Sequence, residues 1–324
     1  MPCYSPLLAS YVVAEDGKKK LKFSNALART FKVAGDVPHE GNLKIPCGQC
    51  KGCRLERSRQ WAVRCMHEAK LHDKNCFITL TYDDVHLPEG GTLVKSHFQD
   101  FMKRLRRKFV PDIPTDLDKD QETEWLFRNG IRFYHCGEYG ETLSRPHYHA
   151  ILFNFDFPDK KFFRMSGDNP LYTSRILDDL WEHKGFASIG DVTFDSAAYV
   201  ARYCMKKVTG KDSLDHYGSR LPEYATMSRK PGIGKAWYDK NKSDIYPSDL
   251  LIVRSPNGVK KGKPPRYYDN CLSKDDPNLF DLLKNKRIED AKVHSDDNTS
   301  FRLKDRLICL KARLTRLFRP MEGI

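Results

Sequence analysis

His147 and His149 flank Tyr148 in the run PHYHAILF (146–153), a predicted strand. Side chains two apart on a strand share a face, so two imidazoles stand together on a rigid support and can bind a divalent cation. The preceding predicted strand, 131–138, ends at Glu138, and Gly140 and Pro146 bracket the connection. An antiparallel hairpin would set Glu138 across from the start of the His strand. Two imidazoles and a carboxylate suit Mg2+ or Mn2+ as well as transition metals. Glu141 is a second candidate acid, deeper in the loop. Tyr199 and Tyr203, in AAYVARYCMKKV, lie four apart on a predicted helix, so their hydroxyls project from one face. Arg202, Lys206 and Lys207 bring positive charge beside them. A phenol with a pKa of about 10 is a poor nucleophile until cations favour the phenolate; so activated, Tyr forms covalent intermediates. Singly, each element is ordinary: strand histidines, strand-end acids and tyrosines packed on a sheet are common. Together they describe tyrosine attack on a nucleic-acid phosphodiester, leaving a protein–DNA ester. The cation would act as Lewis acid and template, and no metal-bound hydroxide is needed.

A second cluster is made of thiols. Cys47, Cys50 and Cys53 stand in PCGQCKGC with C-x2-C-x2-C spacing. A bacterial ferredoxin run would continue with a fourth Cys four positions on, where Arg57 stands, which argues against an iron–sulfur cluster. Structural zinc needs four ligands. Cys3 supplies the fourth if the N-terminus folds back; Cys65 and His67 are alternatives. The competing reading is three reduced cysteines in a glycine-rich turn.

The elements that must position these residues can be traced along the chain. It has 324 residues and a net charge of +13, from 56 Lys+Arg and 43 Asp+Glu, so it has room for one large domain or two ordinary ones and is basic enough to expect a polyanionic partner. Apolar residues at 40% and charged residues at 31% exclude collagenous, mucin-like and wholly disordered chains. No apolar run is long enough for a membrane span, and the N-terminus does not read as a secretory signal, so the ten cysteines should stay reduced. A helix is predicted over 54–72, a buried strand at 76–82 (CFITLTY), and an amphipathic helix over 95–109 with Phe98, Phe101, Met102, Leu105 and Phe109 on one face. Its other face carries Lys103, Arg104, Arg106, Arg107 and Lys108, a solvated surface or a DNA-backbone contact. Residues 111–123 read as a polar loop, 173–183 as a helix, 187–194 as a strand, and a helix capped by Asp195 or Ser196 runs to about Val208.

After Gly210 periodicity fades. SRKPGIGKAWY (228–238) and VKKGKPPRYY (259–268) read as basic loops with interleaved aromatics, in which Arg229, Lys230 and Trp237 are candidates for phosphate contact and base stacking. SRKPGIGK lacks the spacing of a phosphate-binding loop, so no ATPase is expected. The last thirty residues form a basic amphipathic helix with Leu303, Leu307, Leu310, Leu314 and Leu317 at helical spacing. The expected organisation is a Cys-bearing region at 1–53, an α+β core at 54–210 and a basic region at 211–324.

The ordered set FITLTY (77–82), RPHYHAILF (145–153) and YVARYCMKK (199–207) resembles the three motifs of HUH-type rolling-circle replication initiators. The detail is most similar to the Microviridae initiator of gokushovirus type: MPCYSPL, PCGQCKGCR, CGEYGE, MSRKPGIGKAWY and PPRYYD also resemble that type, over roughly residues 1–270. The resemblance implies an antiparallel sheet of about five strands flanked by helices. It implies His147 and His149 as metal ligands, Tyr199 and Tyr203 as alternating nucleophiles, and Lys206 and Lys207 as phosphate-orienting cations. One tyrosine would hold the 5′ phosphate of a nicked origin while the freed 3′ hydroxyl primes synthesis; the second would close the displaced circle. Single-stranded and replicative-form viral DNA, a host helicase and a host polymerase are the implied partners, in the bacterial cytoplasm. Two other readings stay open at this point: a two-tyrosine transposase, and a basic single-strand-binding or packaging protein whose His and Tyr are structural.

Overall fold

The computed structural model describes residues 3–13, 19–23, 43–140, 143–202, 207–208, 210, 212–255 and 258–315. Two compact units emerge, one from Met1–Arg57 with Leu282–Phe318, the other from Ser58–Asp281 with the last residues of the chain. In the first, β1 (Leu7–Val13), β2 (Lys19–Phe23) and β3 (Leu43–Ile45) form an antiparallel sheet in the order β2-β1-β3. Helix α1 (Lys51–Ala69) follows, and from Ser58 onward it belongs to the second unit.

The second unit is built on β4 (Asn75–Leu80), α2 (Lys95–Phe109), α3 (Lys119–Asn129), β5 (Arg132–Tyr139), β6 (Pro146–Phe153), β7 (Lys161–Ser166), β8 (Asn169–Thr173), α4 (Arg175–Leu180), β9 (Ala187–Gly190), α5 (Phe194–Arg202) and α6 (Asp212–Tyr217). It continues through β10 (Tyr224–Met227), α7 (Lys235–Ile245), the hairpin β11 (Leu251–Ser255) and β12 (Gly258–Gly262), and α8 (Arg266–Asp275). Helices α9 (Pro277–Val293) and α10 (Ser300–Thr315) complete the described chain. Seven strands form one antiparallel sheet in the order β10-β5-β6-β4-β9-β8-β7.

This is the expected α+β fold of an antiparallel sheet flanked by helices, and it is wider than the anticipated five strands. The edges are formed by the β7–β8 hairpin on one side and by β10 on the other, the latter lying beyond Gly210, where periodicity fades.

Both faces of the sheet are covered, which is why its central strands read as nearly continuous apolar runs. Tyr148, Ala150 and Leu152 of β6 join Phe98, Phe101, Met102 and Leu105 of α2 and Leu177 and Leu180 of α4 in one core. Each such side chain contributes roughly 1.5–3 kcal/mol on burial. Alternate residues of β6, Ile151 and Phe153, pack on the opposite face with Ala62 and Cys65 of α1 and Ala197, Tyr199, Val200 and Ala201 of α5.

Four expectations are corrected. Residues 111–123 are not wholly a loop: Asp118 caps α3, accepting from the backbone N–H of Asp120 and Gln121 at 2.9 and 2.8 Å, while the Gln121 side chain accepts from Asp118 N–H at 3.0 Å. This capping box is a helix-start signal that the polar composition hid. Helix α5 is capped by Thr193 rather than by Asp195 or Ser196; Thr193 Oγ1 accepts from Ser196 N–H at 3.1 Å and Ser196 Oγ from Thr193 N–H at 2.8 Å. It is described to Arg202, and Lys207 and Val208 are not helical. Residues 259–268 run along β12 and into α8 instead of forming a loop.

The segment 228–235 is held from inside the fold. Arg132 donates to Glu68 Oε1 at 2.5 Å, to Lys230 O at 3.2 Å and to Pro231 O at 2.6 Å, and Gly234 N–H donates to Glu68 Oε2 at 2.7 Å. Gly234 has φ +79°, and a Cβ there would stand 2.6 Å from the Tyr268 hydroxyl, so glycine is required. Among the described residues, no helix is long and apolar enough to cross a membrane.

Candidate metal and nucleophile site

The site is built on the β5–β6 hairpin. Its register pairs Glu138 with His147 and Cys136 with His149, so Glu138, His147 and His149 project from one face. One ligand atom from each lies within 4.8 Å of the others. Glu138 Oε1 sits 2.7 Å from His147 Nε2 and 3.1 Å from His149 Nε2. Burial alone would raise the Glu138 pKa, but hydrogen bonds from His147 and His149 outweigh it and hold the carboxyl below its ordinary range. The acid is therefore an anion at neutral pH.

The outer nitrogens are also engaged. His147 Nδ1 donates to Arg145 O at 3.1 Å, which orients the ring with its Nε2 toward Glu138. His149 Nδ1 lies 2.9 Å from Thr79 Oγ1 on β4, the neighbouring strand, where Thr79 is paired with His149. Thr79 is a positioning residue that the sequence reading passed over, although it lies in the quoted FITLTY. Tyr148, between the two histidines, points through the opposite face. Its hydroxyl donates to Val94 O and accepts from Val94 N–H, both at 2.9 Å, and it meets the Tyr82 hydroxyl at 2.9 Å. The donor set of two imidazoles and one carboxylate, converging and braced from behind, fits a Mg2+ or Mn2+ ion.

Helix α5 crosses the same face and brings Tyr199 to the site. The Tyr199 ring packs edge-on against His149, with centroids 5.1 Å apart, and against Phe77, with centroids 6.3 Å apart; Phe77 in turn stacks on His149. Tyr199 is 6% exposed. Arg202 ends the described helix and is half-buried, as is Lys207. Tyr203, Lys206 and Glu141 lie outside the described residues.

The residues expected to contact DNA are placed less uniformly. Lys103 is exposed and pairs with Asp100, and Arg107, Arg229 and Lys230 are exposed. Arg104 is instead turned inward, donating twice to Leu180 O and pairing with Glu182. Trp237 is likewise committed inside the fold: its ring stacks on His67 with centroids 3.4 Å apart, and His67 Nδ1 lies 2.9 Å from the Tyr268 hydroxyl. Arg64 reaches over Tyr267 and donates to Ile233 O at 3.0 Å. The aromatic residues of 228–238 and 259–268, Trp237, Tyr238, Tyr267 and Tyr268, thus pack on each other and on α1, while the basic residues Arg229, Lys230, Lys261, Lys263 and Arg266 stay exposed. In the other unit, the sulfurs of Cys3, Cys47, Cys50 and Cys53 converge within 4.8 Å. Cys65 and His67, the alternative thiol-site ligands, are occupied elsewhere, Cys65 in the core and His67 in the aromatic stack.

Residues 75–208 match the family described as Replication-associated protein ORF2/G2P. The chain is 34% identical over 286 residues to Replication-associated protein VP4 of Bdellovibrio phage phiMH2K, covering 84% of this chain and 85% of that protein. It is 35% identical over 259 residues to Replication-associated protein ORF2 of Spiroplasma virus 4, covering 78% and 75%. It is also 29% identical over 239 residues to Replication-associated protein ORF4 of Chlamydia phage 1, covering 72% and 54%. No solved structure matches it. The chain belongs to the family of phage replication-associated proteins, as its resemblance to the Microviridae initiators implied.

Proposed function

We propose that the protein initiates rolling-circle replication of a phage genome by nicking one DNA strand through tyrosine attack. One observation carries this reading: a buried carboxylate and two imidazoles converge within 4.8 Å, and the Tyr199 ring lies against one of those imidazoles. A divalent cation held by Glu138, His147 and His149 would polarise the scissile phosphate and fix its orientation. The Tyr199 oxygen then attacks phosphorus. A P–O bond forms to the phenol as its proton departs, the bond to the 3′ oxygen breaks, and that oxygen takes up a proton to become the primer hydroxyl. The 5′ phosphate stays on the protein as an ester. Tyr203 is the candidate for the second attack, which closes the strand, and Arg202, Lys206 and Lys207 for charge compensation along the backbone. Viral single-stranded and replicative-form DNA are the substrates in this reading. Exposed Lys103, Arg107, Arg229 and Lys230 are available for phosphate contacts, and unwinding and synthesis fall to a host helicase and polymerase in the bacterial cytoplasm.

The names of the relatives favour replication over transposition. The test is a covalent adduct. Origin-strand oligonucleotide with Mn2+ should yield a protein–DNA band that survives SDS, lost in the double variant Tyr199→Phe/Tyr203→Phe and in His147→Ala/His149→Ala. Unchanged cleavage by the double Phe variant would exclude tyrosine chemistry. DNA binding without cleavage by the unaltered protein would favour a purely binding role.

A further inference from the structure

We infer that Cys3, Cys47, Cys50 and Cys53 form a closed tetrathiolate site for one structural zinc ion. It is separate in residues and chemistry from the His/Glu site and does not depend on the nuclease reading. Three observations support it.

The first is metric. Tetrahedral zinc with Zn–S bonds of about 2.3 Å has S–S edges of roughly 3.8 Å. Cys3 Sγ lies 3.6 Å from Cys47 Sγ and 3.8 Å from Cys50 Sγ. A disulfide would bring two sulfurs to about 2.05 Å. Four sulfurs gathered at the longer spacing have the shape of a coordination shell.

The second is the direction of the surrounding donors. Cys47 N–H points to Cys3 Sγ at 3.2 Å, Cys50 N–H to Cys47 Sγ at 3.3 Å, and Tyr4 N–H to Cys50 Sγ at 3.4 Å. Backbone donors aimed at sulfur stabilise thiolates, as the hydrogen bonds around metal-bound sulfurs do. Gly48, at φ +74°, makes the turn that lets Cys47 and Cys50 face the same point.

The third is the need for a staple. Strand β3 has three residues and makes three register pairs with β1, the outermost being Leu7 with Ile45. Such a short strand holds poorly without help. Cys3 and Cys47 lie just outside that last pair, so a shared ion would clamp the end of the β1–β3 ladder to the start of α1. Small units with thin cores commonly rely on a metal for this purpose. Four thiolates with no open position favour zinc and a structural role, whereas the oxygen-bearing His/Glu set suits a harder ion.

The test uses the full chain purified without chelator. Elemental analysis should find one zinc per chain, retained in His147→Ala/His149→Ala and lost in Cys3→Ser and in Cys50→Ser. Because the Ser variants can misfold, the unaltered protein gives the second readout. Alkylation mapped by mass spectrometry should spare Cys3, Cys47, Cys50 and Cys53 until a zinc chelator is added, and Co2+ exchange should give thiolate-to-cobalt absorption. A folded chain without zinc whose four thiols alkylate freely would overturn the inference. So would iron at the site, or a disulfide among these cysteines.

Discussion

The Tyr199 ring meets the His149 ring edge-on, with centroids 5.1 Å apart and planes at 82°. A group from α5 and a group from β6 thus share one small volume, and the proposed mechanism gives the tyrosine two separable duties there: its ring packs and its hydroxyl attacks. Tyr199→Phe should keep the ring packing, changing stability by about 1 kcal/mol or less, while removing the attacking oxygen. Tyr199→Ala should cost roughly 3 kcal/mol through the lost packing. Denaturant unfolding beside adduct formation separates the two duties; a Phe variant as unstable as the Ala variant would contradict this division.

Glu138 is the anion of the proposed cation site. Glu138→Gln keeps the shape and removes the charge, so Mn2+ binding, followed by electron paramagnetic resonance, should weaken by at least about 100-fold.

Thr79 touches no candidate substrate but holds His149 Nδ1 at 2.9 Å. Thr79→Val is close in shape and lacks the hydroxyl. Metal affinity should fall about 10- to 100-fold while Thr79→Ser retains most of it. Equal affinity in Val and Ser variants would remove the positioning role.

The pair of Glu68 and Arg132 is buried and fixes the 230–234 backbone. Removing one partner strands the other, so Arg132→Ala should destabilise the fold by about 3–5 kcal/mol. Burial would raise the Glu68 carboxyl, yet His72, Arg132 and the Gly234 amide hold it below its ordinary range. Its contribution is therefore present above about pH 4.5 and lost as pH falls through the lowered value.

His67 gives the clearest pH signature. Burial first, and then Lys70, push its pKa down to about 3. The unfolded ring, with a pKa of about 6.5, binds a proton that the folded ring refuses, so stability falls as pH drops from about 6.5 toward 3. The loss over that window should reach roughly 3–5 kcal/mol, and His67→Phe should flatten the thermal-unfolding profile between pH 7 and 4.

The parts of this molecule legible in the sequence were those with local signals. The 95–109 helix carries its apolar stripe in plain view, and α2 spans those residues. The β5–β6 hairpin followed from two apolar runs bracketed by Gly140 and Pro146, and its register places Glu138 opposite His147. Long-range pairing was hidden. Strand β10 is four residues long and gains its identity only by pairing with β5, far back in the chain. Trp237 and the tyrosines of 259–268 carry the composition of a nucleic-acid surface, but whether such rings face solvent or one another is decided by His67 and Arg64 on α1, which no local pattern reveals. Thr79 was similarly opaque, because a strand threonine becomes a histidine brace only through its neighbour across the ladder.

The three donors of the proposed cation site lie within a dozen residues of chain, on two strands that fold back on each other. Their mutual geometry is thus dictated by one ladder register, independent of how distant loops or edge strands are arranged. A one-residue slip within this hairpin would turn the histidines away from the acid. The proposed cation site is thus carried by a single short hairpin, and its geometry stands or falls with that one register.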